Sequence, residues 1–92
     1  MGLLIVVNFK TYKEATGDNA VKLAKACEAA ALKAKDKVKI AIAVQATDIF
    51  RVAAAVDSGI IGVFAQHISA NGQGKSTGFV TAEAVKEAGA SG

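Results

Sequence analysis

The feature that most constrains this chain is the recurrence of short apolar runs separated by segments with helical spacing. Leu3-Leu4-Ile5-Val6-Val7 is continuously apolar and rich in β-branched side chains, and Val38 to Val44, apart from Lys39, and Ile60 to Ala65, despite Gly62, are runs of the same kind. Runs of this kind read as strands buried on both faces, the pattern of a parallel sheet covered by helices. Between the first two, from Asp18 to about Ala34, the apolar positions fall three and four apart: Val21, Ala24, Cys27, Ala31 and Leu32 near one face, with Lys22, Lys25 and Glu28 around the other. Asp18 or Asn19 is placed to cap that helix, and Thr47-Asp48 to cap a second one carrying Ile49, Phe50, Val52, Ala53 and Val56, which Ser58-Gly59 ends. Thr81 is placed to cap a short third helix ending at Gly89. The order is strand, helix, strand, helix, strand, helix. Each unit takes about 30 residues, the length of a right-handed βα crossover, so an α/β fold with a parallel (βα)3 sheet is expected.

Ninety-two residues make one small domain, 1–92, or a piece of a larger one. Apolar residues are 52% of the chain and charged ones 21%, which fits a folded rather than a disordered protein. No apolar run approaches the roughly 20 residues of a membrane span, and the opening run is too short for a signal peptide, so no membrane association is expected. The single Cys27 leaves no internal disulfide and points to a reducing compartment, the cytoplasm. The net charge of +3 owes much to Lys33, Lys35, Lys37 and Lys39, but no aromatic side chain interleaves with them. Lysines at a helix C-terminus complement its dipole, and no nucleic-acid partner is expected.

Three parallel strands leave two unpaired edges and apolar faces to be covered. A complete (β/α)8 barrel runs to about 250 residues, so three units at this spacing amount to about three eighths of one. Both a partial barrel and a non-enzymatic module that self-associates through its strand edges are open on these grounds.

In parallel α/β folds chemistry gathers where strands end and βα loops converge. The three ends here are Asn8-Phe9-Lys10-Thr11, Val44-Gln45-Ala46-Thr47 and Gln66-His67-Ile68-Ser69. Asn8 and Lys10, two apart, share a side if the extended backbone continues, and an amide beside an ammonium suits an anionic, carbonyl-bearing substrate. Spacing alone equally allows a solvated lysine. A third candidate is GQGKSTG, Gly72 to Gly78. A phosphate loop has Gly, four residues, then Gly-Lys-Ser/Thr opening a helix. Ser69 stands where its first glycine belongs, and Gly78-Phe79-Val80 follows in place of a helix, so phosphate or nucleotide binding through Gly72 to Thr77 is the weakest reading. Nothing in the pattern calls for a cofactor or a metal.

IVVNFKTYKEATG, Ile5 to Gly17, closely resembles the first strand and loop of triosephosphate isomerases of the archaeal type. Phe64 to His67, FAQH, is similar to the third strand of that family, Ser76-Thr77-Gly78 falls where it carries a Thr-Gly loop, and EAVKEAGA, Glu83 to Ala90, resembles its third helix. The resemblance implies a partial TIM (β/α)8 barrel, a parent reaction interconverting dihydroxyacetone phosphate and glyceraldehyde 3-phosphate in glycolysis and gluconeogenesis, and a small phosphorylated triose as ligand. It implies that Asn8 contacts substrate, that Lys10 is the catalytic cation holding substrate and stabilising negative charge, and that Thr77 and Gly78 form a subunit contact in an oligomer. The family's histidine electrophile and glutamate base follow later strands, so the 92-residue chain alone is expected to be inactive. His67 is expected to be structural or interfacial, and Glu83 and Glu87 to lie on an exposed face. The third loop departs from the family at Asn71 to Gln73, where proline is common, and at Lys75 and Ser76.

Overall fold

The computed structural model describes residues 2–34, 36–70, 72 and 74–92. Three strands, β1 (Leu3–Asn8), β2 (Val38–Val44) and β3 (Ile61–Ala65), alternate with helices α1 (Asp18–Ala34), α2 (Ile49–Ala55) and α3 (Ala82–Ala88). Single 3-10 turns, Lys13–Ala15 and Ala46–Asp48, lead into α1 and α2. The strands form one parallel sheet in the order β1-β2-β3, with Ile5 beside Ile40 and Ile40 beside Ile61. The alternating apolar runs thus fold as the open (βα)3 unit expected from them.

Register divides the sheet into two unlike faces. Ile40, Ile42 and Val44 of β2 and Ile61, Val63 and Ala65 of β3 share one face and pack with Ala20, Ala24 and Ala31 of α1, Ile49 and Val52 of α2 and Val85 of α3. Alanines along α1 let its backbone come close to the strands. On the other face Lys39, Ala41, Gly62 and Phe64 meet no helix; together with Leu4 and Ile60 they line a groove of about 270 Å³. Ser91 and Gly92 run along the far edge of β3, Ser91 N–H donating to the Val63 carbonyl at 2.9 Å and Ala65 N–H to that of Gly92 at 2.9 Å.

Three expectations are corrected. β1 is not buried: its apolar residues are exposed from 71% at Leu3 to 36% at Val7, because one edge lacks a neighbour and α1 lies over β2. Leu32 and Phe50, assigned to inward helix faces, are exposed, as each lies at the margin of its stripe beyond the reach of the three strands. Asp48 precedes α2 but its side chain makes no cap hydrogen bond, and Asp18 is the first residue of α1 rather than a cap. Thr81 does cap α3, accepting from Ala84 N–H at 3.2 Å, and Gly89 ends it at φ 118°, a left-handed conformation that suits glycine. Cys27 is partly buried against the core, as its place on the apolar stripe implied, and burial pushes its thiol above the ordinary value. No helix among the described residues is long and apolar enough to cross a membrane.

Candidate functional site

The first strand end is built around a backbone reversal. Phe9 is buried and its N–H continues the ladder to the Ala43 carbonyl at 2.9 Å, fixing the chain up to that point. The next residue, Lys10, takes φ 53° and is the one described non-glycine residue with positive φ. A left-handed lysine costs about 1–2 kcal/mol of steric strain, so its surroundings must hold it there. They do so from both sides of the residue: Asn8 Oδ1 accepts from Lys10 N–H at 2.8 Å, and Gln66 Nε2 donates to the Lys10 carbonyl at 2.8 Å. The same Gln66 amide lies 3.3 Å from Asn8 Oδ1 and 3.3 Å from the Ala43 carbonyl, joining the ends of all three strands.

This arrangement corrects the idea that Asn8 and Lys10 simply project together from a continued strand. The extended backbone stops at Phe9, and the amide side chain folds back onto the Lys10 backbone while the ammonium turns outward. Lys10 Nζ lies 5.9 Å from the centre of the Tyr12 ring, within the range of a cation–π contact. Both residues are exposed, leaving the cation accessible to an anion above the strand ends. An exposed cation with a rigidly held backbone can neutralise charge on a ligand oxygen without transferring a proton.

Gln66 was within a strand end singled out from sequence, but its role was not. Its signal is position alone, the first residue after β3 and level with the close of β2. Asp48, expected only as a helix cap, is a second residue whose actual role the sequence did not mark. It is 2% exposed, accepts from Gly17 N–H at 3.1 Å and pairs with Arg51 Nε at 3.2 Å, so it ties the end of the first loop to the start of α2. Gln45 Nε2 donates to Thr16 Oγ1 at 2.8 Å, a second link between the first two loops.

Thr77 and Gly78 lie apart from this cluster. They form an exposed turn closed by Phe79 N–H to the Ser76 carbonyl at 3.0 Å, with Gly78 at φ 89°. Among the described residues no hydrogen bond or ion pair links this turn to Asn8 or Lys10. Lys75 is exposed, Ser76 Oγ donates to the Gly72 carbonyl at 2.9 Å, and the next helix begins only at Ala82, so Lys75 opens no helix. Asn71 and Gln73 of this loop, and Lys35 of the lysine-rich segment, lie outside the described residues. His67 is exposed in the loop after β3, and Glu83 and Glu87 are exposed on α3. Among the described residues no group of three or more His, Cys, Asp or Glu side chains could hold a metal ion.

Neither of two surface grooves among the described residues includes Asn8 or Lys10. One is the groove on the helix-free face, near the N-terminal ends of β2 and β3. The other, about 350 Å³, lies between Ala65, Ile68, Val85 and the terminal Ala90 to Gly92. The first lies at the end of the strands opposite the polar cluster, and the second, largely apolar, lies beside the C-terminal end of β3; the polar cluster itself sits at the C-terminal ends of the strands, where βα folds place chemistry.

Residues 3–92 match the model of the family described as triosephosphate isomerase. The chain is 46% identical over 93 residues to the triosephosphate isomerase of Methanosarcina barkeri, an alignment covering 100% of this chain and 40% of the relative. It is 49% identical over 89 residues to that of Methanothermus fervidus, covering 97% of this chain and 38% of the relative. The protein of the same name from Methanococcoides burtonii is 45% identical over 89 residues, again 97% of this chain and 38% of the relative. The chain belongs to the triosephosphate isomerase family and spans about 40% of the length of these relatives.

Proposed function

We propose that this chain supplies the Asn8–Lys10 part of a triosephosphate isomerase site, and that by itself it does not catalyse the isomerisation. The observation that carries the reading is the locked left-handed Lys10, held at N–H by Asn8 and at C=O by Gln66. Strain maintained by two converging polar side chains is a feature of sites, not of solvated loop lysines. In this reading a phosphorylated triose binds above the strand ends, Asn8 lies beside it, and Lys10 places its charge where negative charge develops on the substrate oxygen as a carbon-bound proton leaves. Moving that proton needs a base, and the described residues within hydrogen-bonding reach of Asn8 and Lys10 include no carboxylate and no imidazole. The base and electrophile belong to barrel units that the relatives possess beyond this length. Thr77 and Gly78 are proposed to meet a second subunit, and the setting to be the glycolytic cytoplasm.

The test joins residues 1–92 to the remaining portion of the Methanosarcina barkeri relative and measures turnover in a coupled assay. The chimera is expected to be active, Lys10→Ala to lower its kcat by about 10²–10³ as expected for loss of an electrostatic stabiliser, and the 92-residue chain to be silent.

A second reading, favoured by the exposure of Leu3 to Val7, is a non-enzymatic module that self-associates. Light scattering coupled to size exclusion tests it, and a monomer at millimolar concentration argues against it.

A further inference from the structure

We infer that Tyr12 is a positioning residue for the isomerisation, its ring holding the Lys10 ammonium in place while leaving that charge whole for an anionic ligand; this rests on the proposed function and adds a residue to it. The backbone of Lys10 is pinned at both ends, by Asn8 Oδ1 at 2.8 Å and by Gln66 Nε2 at 2.8 Å, but neither bond reaches the side chain. Beyond Cα lie four methylenes and an ammonium, and keeping a charge at one point on so flexible a stem needs a partner for the ammonium itself. Among the described residues Lys10 forms no ion pair. The group it does meet is the Tyr12 ring, with Nζ 5.9 Å from the centroid, just inside the reach of a cation–π contact.

Tyr12 is itself placed by the fold. Its carbonyl accepts from Ala15 N–H at 2.9 Å and from Thr16 Oγ1 at 2.8 Å, and Gln45 Nε2 donates to the same Thr16 Oγ1 at 2.8 Å. Gln45 directly follows β2, so a line of hydrogen bonds runs from the second strand end through Thr16 to the Tyr12 backbone. Gln66, after β3, anchors the Lys10 carbonyl in the same way, so each neighbouring strand end ties down a different part of the first loop. These bonds to Tyr12 are all made through its carbonyl, which any residue supplies. What the ring adds is the contact with Lys10.

An aromatic partner differs from a carboxylate in what it leaves for the ligand. A carboxylate would orient the ammonium through a charge-assisted hydrogen bond, neutralise it, and have to be displaced before a phosphorylated triose could take its place. A ring face attracts the cation through its quadrupole without cancelling its charge. It also sets no acceptor oxygen against the ammonium, so the N–H donors remain for a ligand oxygen. The cation is thereby held before substrate arrives and is still whole when negative charge develops, which is what preorganised electrostatic stabilisation requires.

The test is a double-mutant cycle in the chimera with the remaining portion of the Methanosarcina barkeri relative, joined to a spectroscopic measurement on the 92-residue chain. Tyr12→Leu keeps the carbonyl and, at a residue 59% exposed in this chain, spares the core. It is expected to lower kcat/KM of the chimera about two- to fivefold, the scale of one exposed cation–π contact, and Tyr12→Phe, which keeps the ring, to leave it unchanged. In a Lys10→Ala background Tyr12→Leu is expected to cost nothing further, because the ring acts only through the ammonium. In NMR spectra of the 92-residue chain the Lys10 Hε resonances are expected upfield of those of the other lysines, shifted by the Tyr12 ring current, and to return on Tyr12→Leu. A chimera that depends on Lys10 but loses as much to Tyr12→Leu without Lys10 as with it, or as much to Tyr12→Phe as to Tyr12→Leu, overturns the role of Tyr12 and leaves the site reading in place. Unshifted Lys10 Hε resonances do the same. A folded chimera that shows no turnover, or is indifferent to Lys10→Ala, overturns both.

Discussion

In the proposed function Lys10 concentrates the conflict between stability and function in one residue. Its left-handed backbone is the least comfortable in the described chain, and glycine would adopt it without strain. Lys10→Gly is therefore expected to raise folding stability by about 0.5–1 kcal/mol in urea unfolding, the strain released less the entropy glycine loses, while removing the cation. Equal or lower stability would mean that the Tyr12 contact or the lysine stem contributes more than the geometry implies. Asp48 is the opposite case, a buried carboxylate used for structure. Asp48→Ala leaves Gly17 N–H without its acceptor and Arg51 without its closer partner, and a loss of about 1–3 kcal/mol is expected in the same measurement. The sequence made Asn8 and Lys10 legible through their place after an apolar strand and through resemblance. It did not mark the roles of Gln66 or Asp48, since a hydrogen bond spanning 56 or 31 residues leaves no local periodicity.

At the scale of elements, most strand and helix limits were readable to within a residue or two because they rest on period; of the expected N-caps only Thr81 acts as one, and α2 stops at Ala55, short of Val56 and the Ser58-Gly59 break. β2 runs from Val38 to Val44 as expected, and β3 begins at Ile61, one residue after the apolar run does. Burial was readable only where the chain supplies its own cover. Val44 and Ile61 are buried, whereas Leu4 and Val6, of the same character, are open because no element lies beyond them. The join between α1 and the end of α2 is polar: Lys25 Nζ lies 2.7 Å from Glu28 Oε1 and donates to the Ala55 carbonyl at 3.2 Å, and Asp57 N–H donates to Glu28 Oε2 at 2.6 Å. The hydrogen bond from Lys25, then that from Asp57 N–H, hold the Glu28 carboxyl below its usual range. A lowered folded-state value means that this contribution is present above the unfolded carboxyl value and is lost as pH falls through the folded one. Glu28→Gln is accordingly expected to lower stability slightly at pH 7 and to leave it unchanged once the wild-type carboxyl is protonated. Thermal melts across that acid limb check this; a deficit that persists to the lowest pH would assign the effect to packing.

Residues 1–92 taken together form an open sheet whose loop after β1 is already assembled and whose apolar β1 side chains are exposed. Asn8, Lys10 and Gln66 are held by contacts among the ends of β1, β2 and β3, so the Lys10 cation does not await other units to take its position. In the proposed function, proton transfer does await them. The most direct measurement of this division is turnover of dihydroxyacetone phosphate by three purified species: the 92-residue chain, its chimera with the remainder of the Methanosarcina barkeri relative, and that chimera carrying Lys10→Ala. The account predicts activity in the chimera, a loss of about 10²–10³ with Lys10→Ala and none in the chain alone. Turnover by the chain alone that Lys10→Ala abolishes, or a folded chimera indifferent to Lys10, would contradict it.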